Sequence, residues 1–210
     1  MINILIADDH PFVREGLKKT LREKSDIKIC GEAKDGEDLL KLLEEQNADA
    51  VVLDVSMPGR NGLDVLTEIK SRWPKTAVVI LSMYPEEHFA VRAIKNGASG
   101  YVTKDSAPYD LVKAIRKGVA GGKYITQSVG EQLAIEVGHR YKNAPHGKLS
   151  DRELEVLCMI ASGKSTREIA EELFVSINTV YTHRERILEK LNIKSNTEIT
   201  QYALRNKLVE

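Results

Sequence analysis

Along the first 120 residues, short β-branched and apolar runs alternate with stretches whose apolar positions recur every three to four residues. Ile2–Ala7 precedes a helical stretch at Phe12–Lys24, and Ile27–Ala33 precedes Glu37–Gln46. Ala50–Asp54 precedes Gly62–Arg72, Ala77–Met83 precedes Glu86–Asn96, and Gly100–Thr103 precedes Pro108–Ala120. Five strand-then-helix units predict an α/β fold with a five-stranded, doubly wound parallel sheet. A parallel crossover needs a helix, and those helices then cover both sheet faces.

The alternation stops after Gly121-Gly122. Thr126–Val137 is compatible with one amphipathic helix, while Gly138–Lys148 mixes Gly, Asn, Pro and His without period. From Leu149 onward the pattern is purely helical. Ser150-x-x-Glu153, Ser165-x-x-Glu168 and Ser195-x-x-Glu198 read as capping boxes, and Ser176 as a fourth N-cap. Four helices are therefore expected to begin near residues 151, 166, 177 and 196. The expected organisation is an α/β domain at 1–122, a linker at 123–148 and an all-α four-helix domain at 149–210.

Charge changes this picture little. The 210 residues carry 31 Lys+Arg and 31 Asp+Glu, and the segment 149–210 is itself nearly balanced. Any nucleic-acid surface must therefore come from local placement of charge. Apolar runs such as Ala50–Leu53 and Ala77–Leu81 fall far short of the roughly 20 residues of a membrane helix, and the expectation is a cytoplasmic protein. Cys30 and Cys158 sit among apolar neighbours and read as small core residues. His88, His139 and His146 make no ligand spacing, and His10 reads as a loop residue.

Candidate chemistry appears where the strands end. Asp8 and Asp9 follow the first strand, Asp54 closes the third, Ser82 lies in the fourth and Lys104 follows the fifth. In open parallel sheets the carboxyl ends of the strands form the ligand crevice, so these scattered positions converge there. Three crowded carboxylates repel one another unless a hard cation lies among them, and Mg2+ takes one or two carboxylates together with phosphate oxygens. The three charges, Mg2+ and Lys104 roughly cancel, which suits transfer of a phosphoryl group to a carboxylate. Asp54 is the best nucleophile, because Met57-Pro58-Gly59 behind it shapes an open turn.

Together with Gly62 and Tyr101, these residues make the segment 1–120 resemble the receiver domain of two-component response regulators. The resemblance implies strand order 2-1-3-4-5. It implies Mg2+ held by Asp8, Asp9, Asp54 and the Ser56 backbone carbonyl, and phosphorylation of Asp54 by a histidine kinase. Ser82 and Lys104 then contact the phosphoryl oxygens, and Ser82 and Tyr101 form the switch pair. The receiver catalyses only its own phosphoryl transfer and dephosphorylation. Two positions depart from the broad pattern: Asp105 stands where many receivers place proline, and Met83 where many place alanine. The larger Met83 is expected to narrow the entrance and slow labelling by small phosphodonors.

Within the C-terminal part, Val180, Ile187 and Leu191 share one face of a helix at 177–191 and are expected to pack on Leu154, Leu157, Ile169 and Leu173. The opposite face carries Asn178, Tyr181, Thr182, Glu185 and Arg186, a set that fits the major groove. Leu149-Ser150-x-Arg152-Glu153, Gly163, Glu168-Ile169-Ala170, Thr179-Val180, His183 and Lys190-Leu191 make this segment similar to the LuxR-type helix-turn-helix of the NarL/FixJ regulators. That similarity implies DNA reading by Asn178, Thr179, Tyr181, Thr182 and Glu185. Arg184, Arg186, Lys190 and Lys194 are expected at phosphates, and His183 inside, packed and hydrogen-bonded. The last helix, near Asn196–Lys207, would dimerise the domain.

Joined, the halves describe a transcription factor switched by phosphorylation of Asp54, with a histidine kinase, double-stranded promoter DNA and a second copy of itself as partners. RNA polymerase is a further partner of such a regulator. A magnesium-dependent aspartyl-phosphate phosphatase is the competing class. Such enzymes place a second acid two residues after the nucleophile, where this chain has Ser56. A receiver that is never phosphorylated is the third.

Overall fold

The structure is a computed structural model that describes residues 1–137, 145–206 and 208–209. The chain divides into two units, Met1–Gln132 and Leu133–Glu210. Of the expected linker, residues 138–144 lie outside the described residues, as does Lys207 at the expected end of the last helix.

The first unit is a parallel sheet of β1 (Ile2–Ala7), β2 (Ile27–Ala33), β3 (Ala50–Asp54), β4 (Ala77–Ser82) and β5 (Gly100–Thr103) in the order β2-β1-β3-β4-β5. β3 and β4 are buried along their whole length, as their unbroken apolar runs require of inner parallel strands. Successive side chains serve opposite faces. Ile4, Ile6, Val52, Val79 and Leu81 pack with Leu17 and Leu21 of α1 (Pro11–Arg22) and with Leu111 and Ile115 of α5 (Ala107–Val119). α2 (Gly36–Glu45), α3 (Gly62–Arg72) and α4 (Glu86–Lys95) contribute the buried Leu39, Leu63, Leu66, Ile69 and Phe89. Predicted boundaries shift by a residue or two; β4, for instance, ends at Ser82 and leaves Met83 outside, 69% exposed.

Beyond α5 the chain returns to the edge of the sheet. Tyr124 makes a parallel bridge to Gly100, its N–H donating to the Ser99 carbonyl at 2.7 Å. The Thr126 hydroxyl bonds the Glu86 carboxylate at the start of α4, and the Lys123 ammonium bonds the carbonyls of Gly97 and Ala98. α6 (Gln127–Val137) begins beyond this strap, with Val129 buried.

In the second unit a 3-10 turn at Pro145–Lys148 leads into α7 (Asp151–Ala161), α8 (Thr166–Glu172), α9 (Ile177–Leu191) and α10 (Asn196–Arg205). All four starts fall where the serines place them. Ser150 and Ser165 make reciprocal capping boxes with Glu153 and Glu168. Ser195 does not complete one. Its hydroxyl accepts from the Glu198 N–H, but the Glu198 carboxylate takes the Lys194 N–H instead of the Ser195 N–H. α8 ends in a Schellman pair, Val175 N–H to Ala170 O and Phe174 N–H to Glu171 O, with Phe174 at φ 52. Val180, Ile187 and Leu191 are buried, as are Leu154, Leu157, Ile169 and Leu173 across from them.

Candidate functional site

The carboxyl edge of the sheet gathers the predicted acidic set. Asp8 and Asp54 are buried at 0% and 1% exposure, and Asp9 sits beside them at the rim. Donor atoms of Asp8, Asp9, His10 and Asp54 lie within 4.8 Å of one another. From the residue after β5 the Lys104 ammonium reaches Asp54 Oδ2 at 2.7 Å and Asp8 Oδ2 at 2.9 Å. The Lys104 N–H donates to the Ser82 carbonyl, anchoring the lysine to β4. The next turn is bent by the Thr103 and Ser106 hydroxyls, so the Asp105 loop is ordered without a proline.

Burial dominates the electrostatics here. It pushes the Asp54 carboxyl up to about 6, with the Asp8 charge adding to it, and the Lys104 charge offsets only part of that. Burial likewise raises Asp9. Lys104 responds oppositely: desolvation opposes its charge, but two carboxylates outweigh that and hold the ammonium above its ordinary value. Asp9 Oδ1 is buried with no hydrogen-bond partner, and Asp8 Oδ2 meets Lys104 in a geometry that makes no hydrogen bond. Buried carboxylate oxygens without donors suit a hard divalent cation, so the donor set fits Mg2+.

Around the pocket, the Ser56 N–H donates to Asp54 Oδ1 at 3.1 Å, and the turn behind it folds so that Gly62 N–H reaches Val55 O. An added Cβ at Gly62 would lie 2.3 Å from the Asp54 carbonyl oxygen. The close approach of α3 to the strand end therefore requires glycine. Ser82 is buried, its hydroxyl accepting from the Tyr84 N–H at 3.0 Å, and the buried Tyr101 hydroxyl donates to the Tyr84 carbonyl at 2.9 Å. Both halves of the predicted switch pair are thus tied to one peptide segment.

On α9, Asn178, Tyr181, Thr182, Glu185 and Arg186 are exposed together and Thr179 is half-buried. The Thr179 hydroxyl pairs with Ser176 and that of Thr182 with the Asn178 carbonyl. Lys194 is exposed beyond the helix end. Two expected phosphate contacts are occupied inside the domain. The Arg184 guanidinium bonds Asn196 Oδ1 at 2.7 Å and Glu185, and the Lys190 ammonium bonds the buried Glu153 at 2.6 Å. Their helical positions place them toward α10 and α7 respectively. His183 departs from expectation as well, because its Nδ1 is buried without a hydrogen bond. Desolvation, with help from the Arg152 charge, lowers its pKa.

Residues 4–116 match the response regulator receiver domain family, and residues 147–203 match the luxR family of bacterial regulatory proteins. The chain belongs to the NarL/FixJ family of response regulators. The regulator is 36% identical over 209 residues to the response regulator UvrY of Escherichia coli K12, covering 99% of this chain and 96% of that one. It is 37% identical over 216 residues to the oxygen regulatory protein NreC of Staphylococcus haemolyticus, each chain covered completely. Among solved structures, RcsB of Salmonella enterica serovar Typhimurium, bound to promoter P1flhDC with the phosphomimetic BeF3-, is similar with TM-score 0.66 and 29% identity over 96% of this chain and 97% of that one. The regulator is thus a DNA-binding response regulator of a two-component system, and the phosphatase alternative finds no support.

Two features of the regulator escape a reading of motifs. His10, whose sequence context marks it only as a loop residue, lies against Asp9 with Nδ1 at 2.8 Å from Oδ1. Its position directly after the acidic pair is the one available signal. The ion pairs that hold the buried Glu155 and Glu153, from Arg152 and Lys190, leave none, since charged residues on a helix carry no mark of which will be drawn inward.

Proposed function

We propose that this regulator takes a phosphoryl group from a histidine kinase onto Asp54 and thereby changes its dimerisation and its hold on promoter DNA. The observation that carries this reading is the buried Asp54–Lys104–Asp8 cluster with Asp9 beside it, in which Asp8 Oδ2 and Asp9 Oδ1 make no hydrogen bond. An Asp54 oxygen attacks the phosphorus of a phosphohistidine, the P–N bond breaks, and the imidazole leaves with the electron pair. Asp8, Asp9, Asp54 and the Ser56 carbonyl are the residues to hold Mg2+, which supplies charge neutralisation when bound. Lys104, released from Asp54 Oδ2, is placed to meet a phosphoryl oxygen, as is the Ser82 hydroxyl once it leaves the Tyr84 N–H. Because Tyr84 also holds Tyr101, movement of Ser82 reaches the aromatic through one shared segment. The receiver performs only this self-directed chemistry, including its own dephosphorylation.

At the output end, Asn178, Thr179, Tyr181, Thr182 and Glu185 are the base-reading set, and Arg186 and Lys194 the phosphate contacts. Arg184 and Lys190 act first in holding the domain together. α10 is the dimer helix of the C-terminal domain, and RNA polymerase a partner of the promoter-bound state. No helix among the described residues is long and apolar enough to cross a membrane, which accords with work in the cytoplasm. The test combines two assays on one preparation. Incubation with a labelled phospho-kinase should label wild type and not Asp54→Ala. The labelled protein should then bind selected genomic fragments more tightly than unlabelled protein, and equal affinity in both states would remove the switch.

A further inference from the structure

His10 takes no part in the phosphoryl chemistry above. It is the N-cap residue of α1 yet its ring makes no capping hydrogen bond, and Pro11 follows it. Its side chain is 61% exposed, and Nδ1 stands 2.8 Å from Asp9 Oδ1 and 3.6 Å from Asp8 Oδ1. The main chain fixes the base of this arrangement: His10 N–H donates to Asp8 Oδ1 at 2.8 Å, and Arg14 Nη1 donates to the Asp8 carbonyl. The contact is close enough for an ion pair with a protonated imidazole, yet Asp9 Oδ1 makes no hydrogen bond, which leaves both atoms able to face a common ion. Neighbouring donors around an ion bound at about 2.0–2.2 Å are separated by roughly 3 Å, the edge of a tetrahedron or octahedron. The buried Asp8 Oδ2, also without a hydrogen bond, belongs to the same cluster.

We propose that His10 Nδ1 is a fourth side-chain donor of the divalent-ion site, beside the three carboxylates, and that it shifts the site's preference from Mg2+ toward imidazole-binding first-row ions, Zn2+ above all. Mg2+ gains little from a nitrogen ligand, whereas imidazole suits Zn2+ and Mn2+ is tolerated by both donor types. With three carboxylates and one imidazole within 4.8 Å, the pocket offers a complete Zn2+ donor set. A Zn2+ ion seated there would occupy the carboxylate that the kinase must phosphorylate, making the histidine the determinant of whether late metals block signal reception. The inference rests on the reading of this pocket as a divalent-ion site.

The experiment uses the full chain, metal-free, as wild type, His10→Gln and the double variant Asp8→Asn/Asp9→Asn. Mg2+ and Zn2+ titrations by calorimetry are combined with pulsed electron spin-echo measurement of 14N coupling to bound Mn2+. The expected result is a 14N modulation in wild type that His10→Gln abolishes. Zn2+ binding should weaken by roughly 100-fold in that variant, with Mg2+ affinity held within about threefold. The double variant, in which all three ions should be lost from the site, separates pocket binding from Zn2+ held elsewhere. Mg2+ and Mn2+ binding without nitrogen coupling, or Zn2+ affinity indifferent to His10, overturns the role of the histidine and leaves the pocket reading intact. Absence of any divalent binding sensitive to Asp8 and Asp9 overturns both.

Discussion

Replacing Asp54 by asparagine should stabilise the metal-free protein. Burial raises the Asp54 carboxyl from 3.8 to about 6 despite Lys104 at 2.7 Å, so the folded state binds this proton more tightly than the unfolded chain. A carboxylate raised in this way costs nothing below the unfolded value, and its destabilisation grows between about pH 4 and 6 and is complete above that. About two pH units at roughly 1.36 kcal/mol each give about 3 kcal/mol at pH 7. That figure is already net of the attraction to Lys104, and the poorer fit of the carboxamide, whose NH2 cannot accept a hydrogen bond, trims the gain to roughly 2 kcal/mol. For a domain of this size that raises the midpoint by about 5–10 °C. The assay is thermal and urea unfolding of both proteins in EDTA at pH 5 and pH 8. The gain should appear at pH 8, shrink at pH 5, and reverse at pH 8 with millimolar Mg2+, which binds wild type more tightly. A destabilised Asp54→Asn at pH 8 in EDTA would mean that pairing with Lys104 outweighs desolvation, and the electrostatic account would be wrong.

Gly62→Ala should cost about 3 kcal/mol or more, because the new methyl meets Asp54 and Val55 backbone at 2.3 and 2.8 Å; urea unfolding compared with Gly59→Ala, where the space is open and only a φ of 79 is strained, measures it. Lys190→Ala should lower the stability of the C-terminal domain by about 1–2 kcal/mol by leaving the buried Glu153 without its ammonium partner. At a temperature where the domain stays folded it should weaken DNA binding less than Arg186→Ala, as read by fluorescence anisotropy. The depressed His183 predicts that the domain loses stability as pH falls below about 6.5, because the unfolded chain takes up this proton first. Unfolding midpoints between pH 5 and 8 should show a slope for wild type that is reduced in His183→Phe.

Much of this fold can be read from period and punctuation. β3 and β4 announce themselves as unbroken apolar runs, and Ser150, Ser165 and Ser176 start their helices where they stand. The acidic pocket is readable for a topological reason: in a parallel sheet, residues that end different strands share one edge regardless of their distance in sequence. The unreadable part depends on side-chain direction across elements. Glu198 has the spacing of a capping box, but its carboxylate bonds one residue further back. Arg184 and Lys190 have the type and helix of phosphate contacts, but the carboxamide of Asn196 and the carboxylate of Glu153 hold them. The return of the chain after α5 pairs with the sheet through one bridge at a glycine, too short to leave a strand-like pattern.

That return has a bearing on solubility. Open sheets expose a row of unpaired peptide groups at each margin, where a neighbouring molecule can add a strand. At β5 the Tyr124 peptide takes the Ser99 carbonyl, and its Cβ lies 3.0 Å from where a side chain at residue 100 would begin. A substitution at Gly100 would therefore lift this cover and bare an adhesive border, so the first symptom expected of such a variant is self-association during expression and not loss of phosphate transfer.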